Sequence, residues 1–227
     1  PLSVRPAPSR TPQSSLGLGF LGAGDYAKAV LLPNLSGQKD LQRISLVTAT
    51  GSSAQRSAER FGFQRCSTDP ADVIAAEDVN LGFIATRLDR HASLAAEALR
   101  AGKAVWREKP LGLTPDEVNH VVEAAEETGN LLAVGYNRRF SPHAHAFSEA
   151  FANRSTPLHI QYTVAAGPPP RGTWITAPRE GGGRILGEVC HFVDLCGHLV
   201  GHPPVEVFAS SPSNDFELDD SGTALVR

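Results

Sequence analysis

Residues 16–30, LGLGFLGAGDYAKAV, set the tightest limit on how this chain can fold. The first six alternate glycine with large apolar residues as a buried strand does, and Gly22-Ala23-Gly24-Asp25-Tyr26-Ala27 then fits G-x-G-x-x-G/A. In that pattern Gly22 permits a tight turn, Gly24 lets backbone approach a pyrophosphate, and Ala27 keeps the helix close to the strand. A helix starting there presents unpaired N–H groups and a partial positive charge to an anion. An ordinary strand–turn–helix corner is the alternative, since chance matches to the pattern are expected in a chain with 21 glycines. A strand before, a helix after and a further strand over 44–50 select the dinucleotide site, with Gly22, Gly24, Asp25, Tyr26 and Ala27 as its residues.

The rest of the chain continues the alternation. The first helix is expected to stop near Pro33, because proline interrupts helical hydrogen bonding. NAD-binding versions of this fold carry an acidic residue at the end of the second strand for the ribose hydroxyls. Here the segment reads Thr50-Gly51-Ser52-Ser53-Ala54-Gln55-Arg56, hydroxyls and an arginine that suit a 2′-phosphate, so NADP is preferred over NAD. The bland reading, that Ser52 or Ser53 caps a helix over 54–61 while Arg56 is solvated, stays open. An apolar strand over 79–86 precedes a helix whose alanines and leucines recur at helical spacing, ended by Gly102. A strand from Ala104 leads to Arg107-Glu108-Lys109-Pro110, Thr114-Pro115-Asp116-Glu117 opens the next helix, and 131–136 is a further strand. Strands alternating with helices imply right-handed βαβ units, hence a Rossmann-type doubly wound parallel sheet over 16–137.

After that the texture changes. A helix over 141–153, a strand over 158–165, a Pro/Gly-rich loop over 167–183 holding Trp174, a helix over 187–199 and strands over 205–210 and 222–227 describe an incomplete α+β domain, 138–227. Residues 1–15 carry four prolines and two arginines without an apolar stretch, and read as a linker or disordered tail, not a signal peptide.

Bulk properties narrow the partners. A net charge of −3 provides no basic field for nucleic acid, and no apolar run approaches the roughly 20 residues of a membrane span. Three cysteines, Cys66, Cys190 and Cys196, make no disulfide framework and suit a reducing cytoplasm. His191, Asp194 and His198 share a helix face, but no H-E-x-x-H or C-x-x-C spacing accompanies them, so no metal is expected.

GFLGAGDYA, Ala85-Thr86 with His91, Glu108-Lys109-Pro110, GYNRRF and GGGRILGEVCHFVDL, in that order and spacing, resemble the Gfo/Idh/MocA oxidoreductases over nearly the whole chain after residue 16. The last phrase is most similar to members fused to an alcohol-dehydrogenase-like domain upstream, which would explain a linker at 1–15. The resemblance implies a Rossmann domain for NAD(P) and a domain with a mainly antiparallel sheet for a sugar, inositol or related polyol. Through that sheet the full-length protein would form a homo-oligomer, the chain here being truncated at its C-terminus. By resemblance, Lys109 and His191 serve the chemistry, the Lys109–Pro110 bond admits the cis form, and Thr86, His91 and Glu108 join the cofactor residues. One departure stands out. The family often has an aspartate four residues before the histidine, where this chain has Gly187; Glu188 lies about 100° away on the helix and is the candidate catalytic acid, with an acid pointing elsewhere on the helix as the reading that stays open.

Oxidation of a secondary alcohol needs hydride transfer to a cofactor and removal of the hydroxyl proton by the protein. Lys109, at the C-terminal end of a parallel strand, stands where such sheets present their ligands. His191 is the second proton-handling group with Asp194 as its support. Arg139 and Trp174 join Lys109 and His191 as substrate contacts, with an ordinary salt bridge for Arg139 and a core cap for Trp174 as the alternatives. The function expected is NAD(P)-dependent oxidation or reduction of a sugar or cyclitol. A dinucleotide-binding regulatory protein without turnover and an NAD-dependent glycoside hydrolase of the same fold are the other readings.

Overall fold

The computed structural model describes residues 16–87, 90–167, 181–211 and 221–227. They fall into two compact units, the first ending at Gly135 and the second opening at Tyr136.

The first unit is a parallel sheet of six strands: β1 (Leu16–Leu21), β2 (Leu41–Val47), β3 (Arg65–Ser67), β4 (Leu81–Ile84), β5 (Ala104–Arg107) and β6 (Leu132–Val134). Their spatial order is β3-β2-β1-β4-β5-β6, the Rossmann order, with the direction of winding reversing between β1 and β4. Leu18, Phe20 and Leu46 face Ala27, Leu32, Ala58, Phe61 and Phe63 on one side of the sheet, where Phe20, Phe83 and Trp106 stack across three strands. On the other side Ile44, Ile84 and Val105 pack with Val73, Leu94, Leu99, Val121 and Ala124. The alternating glycines of β1 have a steric cause: a Cβ on Gly17 would lie 1.9 Å from the Asp78 carbonyl oxygen, and one on Gly19 2.4 Å from Val73 Cγ1.

Local chemistry places the helices. α2 (Gly51–Phe61) is capped by Thr50, whose hydroxyl accepts from Ser53 N, and ends on Gly62 at φ 72°. Thr50, not Ser52 or Ser53, is thus the cap. Thr48 Oγ1 donates to Thr50 O at 2.9 Å, turning the chain out of the sheet, so β2 closes at Val47, short of the expected 50. The short α3 (Ala71–Ile74) follows β3, and α4 (His91–Arg100) follows β4. α5 (Pro115–Thr128) starts at Thr114, which accepts from Glu117 N, while Glu117 Oε2 accepts from Leu113 N at 2.7 Å.

The first helix does not stop at Pro33. A π-helical turn, Ala27–Leu31, in which Leu32 N–H donates to Ala27 O, passes into α1 (Leu32–Leu35). Pro33 then falls in the first turn of α1, directly after the wider π-helical turn, and the helical run continues past it to Leu35.

The second unit contains a 3₁₀ turn (Asn137–Phe140), α6 (Pro142–Ala150) capped by Ser141, a π-helical turn (Ile185–Val189) running into α7 (Cys190–Val200), and the antiparallel pair β7 (Val207–Ser210) and β8 (Thr223–Val226). The strand expected over 158–165 is not formed, since that segment finds no ladder partner among the described residues. Alternating side chains make a strand only where another strand accepts the backbone bonds. Trp174 and the linker at 1–15 lie outside the described residues.

Candidate functional site

Parallel pairing aligns the strand ends. Leu21 stands opposite Val47 and Ile84, Ile84 opposite Arg107, and Arg107 opposite Val134. The residues that follow, Gly22, Thr48, Ala85 with Thr86, Glu108 with Lys109, and Gly135, therefore leave the sheet along one carboxyl edge, the edge where open α/β sheets take ligands. Gly22 donates from N to Val47 O at 2.8 Å and has φ 91°. A Cβ there would meet Ala85 O at 2.5 Å and Thr86 N at 2.8 Å, so only glycine brings the β1 turn against the β4 loop. A Cβ on Gly24 would meet nothing within 4 Å, which leaves this backbone open to a neighbouring group. Asp25 and Tyr26 are exposed on the first helical turn, and Ala27 is buried beneath it.

Glu108 begins the loop after β5, held by its N–H donating to Ile84 O at 2.9 Å. Its Oε1 is buried without a hydrogen-bond partner among the described residues. Burial raises its carboxyl above the ordinary value, partly offset by the neighbouring Lys109 charge. Gly135 makes room for this side chain, because a Cβ there would sit 3.0 Å from Glu108 Oε1 and 2.9 Å from the Trp106 ring. The Lys109–Pro110 bond is cis and Lys109 is half-buried.

His91 is placed differently from the expectation of a direct cofactor contact. Its ring is 1% exposed, with Nε2 at 2.8 Å from Thr86 O and Nδ1 at 2.6 Å from Arg107 Nη2. Because Arg107 can only donate, Nδ1 accepts and Nε2 carries the proton. Burial, and then the Arg107 charge, push the imidazole pKa down to about 3. His91 is thus a neutral support beneath the Thr86 loop, with no surface left for a ligand.

Other expected roles shift in the second unit. Asp194 does not support His191; its carboxylate, 8% exposed, takes a two-pronged ion pair from Arg139, Nε to Oδ2 at 2.7 Å and Nη2 to Oδ1. Arg139, expected at the substrate, is occupied by that pair, which raises its pKa. The adjacent Arg138 lies over the Phe192 ring at 4.5 Å, and Tyr162 stacks on the same ring at 4.8 Å. The 3₁₀ turn thus grips α7 at residues 192 and 194, on either side of one turn. His191 itself lies edge-on to Tyr136, ring centroids 6.1 Å apart. Glu188 pairs with Arg184 at 3.3 Å, one turn back along the helix. At Gly187 an added Cβ would make only an ordinary 3.6 Å contact with Gly181 O, so the fold does not require glycine there.

Residues 16–136 match the family model described as "Oxidoreductase family, NAD-binding Rossmann fold", and residues 155–227 match the GFO/IDH/MocA C-terminal domain. The chain belongs to the Gfo/Idh/MocA oxidoreductase family. An inositol 2-dehydrogenase of Rhizobium meliloti (strain 1021) is 30% identical over 194 residues, which cover 85% of this chain and 57% of that protein. A D-glucoside 3-dehydrogenase of Escherichia coli (strain K12) is 26% identical over 198 residues, covering 85% and 56%. The structure of a levoglucosan dehydrogenase in complex with NADH and levoglucosan matches with TM-score 0.80 at 24% identity, over 94% of this chain and 64% of that one, a likeness of fold. The chain spans less than two thirds of the length of each.

A nicotinamide dinucleotide fits the donor set of this Gfo/Idh/MocA chain. Gly24 leaves open backbone for a pyrophosphate, the partnerless Glu108 Oε1 suits a ribose hydroxyl donor, and no acid closes β2 to a 2′-phosphate. Thr50 and Ser52 form the start of α2, and Arg56 folds back so that Nε donates to Ser52 O at 3.2 Å. The residue that sequence reasoning missed is Arg107, fully buried beneath the Lys109 loop. Its signal was present: period 2 puts Arg107 on the face of Val105, so a charge had to enter the core.

Proposed function

We propose that this chain serves NAD(P)-dependent hydride transfer between nicotinamide and a secondary alcohol or ketone of a sugar or cyclitol. The observation that carries the reading is the carboxyl edge of the first unit. There the Gly22 turn lies against Ala85, and the buried, partnerless Glu108 oxygen is followed directly by Lys109. The dinucleotide, when bound, supplies the hydride acceptor or donor. Gly22, Gly24, Asp25, Tyr26 and Ala27 hold its pyrophosphate end, and Glu108 and Thr86 its nicotinamide ribose. Lys109 orients the substrate oxygen and exchanges its proton, with His191 as the second proton-handling residue. Trp174 stacks on the sugar ring. Glu188 takes the place of the acid absent at Gly187.

NADP is preferred over NAD, through Thr50, Ser52 and Arg56. The strands β7 and β8, exposed along their length, support pairing with a second copy. Cys66, Cys190 and Cys196 form no disulfide among the described residues, which supports a reducing, cytoplasmic setting. The net charge of −3 argues against a nucleic-acid partner, and no helix among the described residues is long and apolar enough to cross a membrane.

Titration of NADPH and NADH into the chain, followed by nicotinamide fluorescence, tests the cofactor half. Arg56→Ala is expected to weaken NADPH by about 10- to 150-fold, the scale of a charged hydrogen bond of about 1.5–3 kcal/mol, and to leave NADH nearly unchanged. Absence of binding by either dinucleotide removes the reading; equal affinities remove the NADP preference. In the full-length protein, oxidation of reduced cofactor with a panel of keto-sugars tests the substrate class. Lys109→Ala should lower kcat by about 10²–10⁴ with dinucleotide affinity retained.

A further inference from the structure

Arg107 ends β5 with no exposed surface. A guanidinium has five donors and no acceptor, and burying its charge is costly unless those donors find partners. Here they are spread over one loop and one ring. Nε donates to Glu108 O at 2.9 Å, Nη1 to Leu111 O, and Nη2 both to Pro110 O and to His91 Nδ1 at 2.6 Å. His91 turns its other nitrogen on Thr86 O at 2.8 Å. A continuous line of contacts, buried at its centre and part-buried at its ends, therefore runs from Thr86, through imidazole and guanidinium, to three carbonyls that flank Lys109.

Two anchors independent of Arg107 hold the ends of this loop. The sheet ladder reaches Glu108, whose N–H donates to Ile84 O, and α5 takes hold at Leu113, whose N–H donates to the Glu117 side chain at Oε2. Between those anchors Arg107 grips the carbonyls of Pro110 and Leu111. We propose that Arg107 is a positioning residue: together with His91 it ties the loop after β4 to the loop after β5, and so holds the backbone from which Lys109 projects. The functional meaning rests on reading Lys109 as the residue that serves the substrate oxygen; the clamp itself does not.

Lysine cannot replace this arginine. Its single ammonium is a compact point charge on a flexible stem and does not span three carbonyls and an imidazole, although it keeps the charge. Glutamine can replace His91, because its amide donates and accepts at once, whereas leucine does neither.

Backbone ¹⁵N relaxation on the 227-residue chain tests the clamp without cofactor or turnover. In the wild type, the amides of Lys109 and Leu111 should be as rigid as those of Val105 and Leu99, with order parameters near about 0.85. Arg107→Lys should drop Lys109 and Leu111 below about 0.6, with a smaller loosening at Thr86, while Val105 and Val121 stay rigid. His91→Leu should loosen Thr86 and Lys109, and His91→Gln should restore both; this pair decides the matter if Arg107→Lys does not fold. Mobile Lys109 and Leu111 in the wild type would overturn the clamp. So would an Arg107→Lys variant that melts earlier with both residues still rigid, or equal behaviour of His91→Leu and His91→Gln. Loss of dinucleotide binding by the wild type would remove the functional reading and leave the relaxation result standing, so the two failures are separable.

Discussion

The two units are stabilised in different ways. The first has two extended clusters of buried apolar side chains, one on each face of its six-stranded sheet. Among the described residues of the second, Ala144 and Phe192 are the buried apolar side chains, and every residue of β7 and β8 is exposed. What holds the second unit instead is polar and aromatic: the Arg139–Asp194 pair, Arg138 and Tyr162 on Phe192, and Arg227–Glu206 beside the two strands. A parallel sheet must be covered on both faces to exist at all, so its helices bring a core with them. A two-stranded antiparallel ladder carries no such requirement and is marginal in water by itself. Candidate chemistry reflects this difference: the cofactor edge rests on backbone held by a core, and the His191 helix on an ion pair and a stacked ring.

Core truncation should expose this contrast most sharply. Leu99→Ala, at a fully buried position in the first unit, is expected to cost about 2–5 kcal/mol, whereas Leu225→Ala, 59% exposed in β8, should stay within about 0.5 kcal/mol. Urea unfolding of both variants measures this, and similar losses would show that the second unit hides a core of its own.

Acid comes next, and it acts on the first unit through His91. This group has its folded pKa depressed to about 3 against an ordinary value of 6.5, so the unfolded chain binds the extra proton. Its contribution is complete above pH 6.5 and is lost progressively as pH falls toward about 3, at about 1.4 kcal/mol per unit. Glu108 works in the opposite sense, its raised pKa making the fold less stable as pH rises through it. Comparison with His91→Gln cancels Glu108: between pH 6.5 and 5 the wild type should lose about 2 kcal/mol more than the variant. Parallel pH profiles would contradict the buried neutral imidazole.

Arg139→Ala probes the polar grip of the second unit. The Asp194 carboxylate is buried but the arginine is 40% exposed, so screening holds the expected loss to about 1 kcal/mol. Hydrogen exchange should accelerate in α7 and remain unchanged in α4. Exchange that stays slow in α7 would mean that the aromatic stack suffices.

Gly187→Asp should have the smallest effect, within about 0.5 kcal/mol, because the added Cβ meets only a 3.6 Å contact and glycine is the poorer helix former. A large loss on thermal melting would show that this turn needs glycine after all.

Much of the first unit was legible because its signals are local. Gly22-x-Gly24-x-x-Ala27 encodes a turn that a side chain would obstruct, Thr114 with Glu117 encodes a helix start, and Gly102 encodes a helix stop through positive φ. Each acts between residues a few positions apart, so the alternation of strand and helix, and with it the parallel sheet, follows from the amino-acid sequence by itself. Partner choice over long separations does not. His91 and Arg107 are 16 residues apart, and Arg139 and Asp194 are 55 apart. The sequence states only that each can donate, accept or carry charge. Which carboxylate Arg139 takes, whether His91 faces a ligand or the core, and whether residues 158–165 find a strand to pair with depend on what the folded chain brings within about 3 Å, the reach of a hydrogen bond. Hydrogen bonds and ion pairs are decided at that distance, and only the tertiary structure sets it.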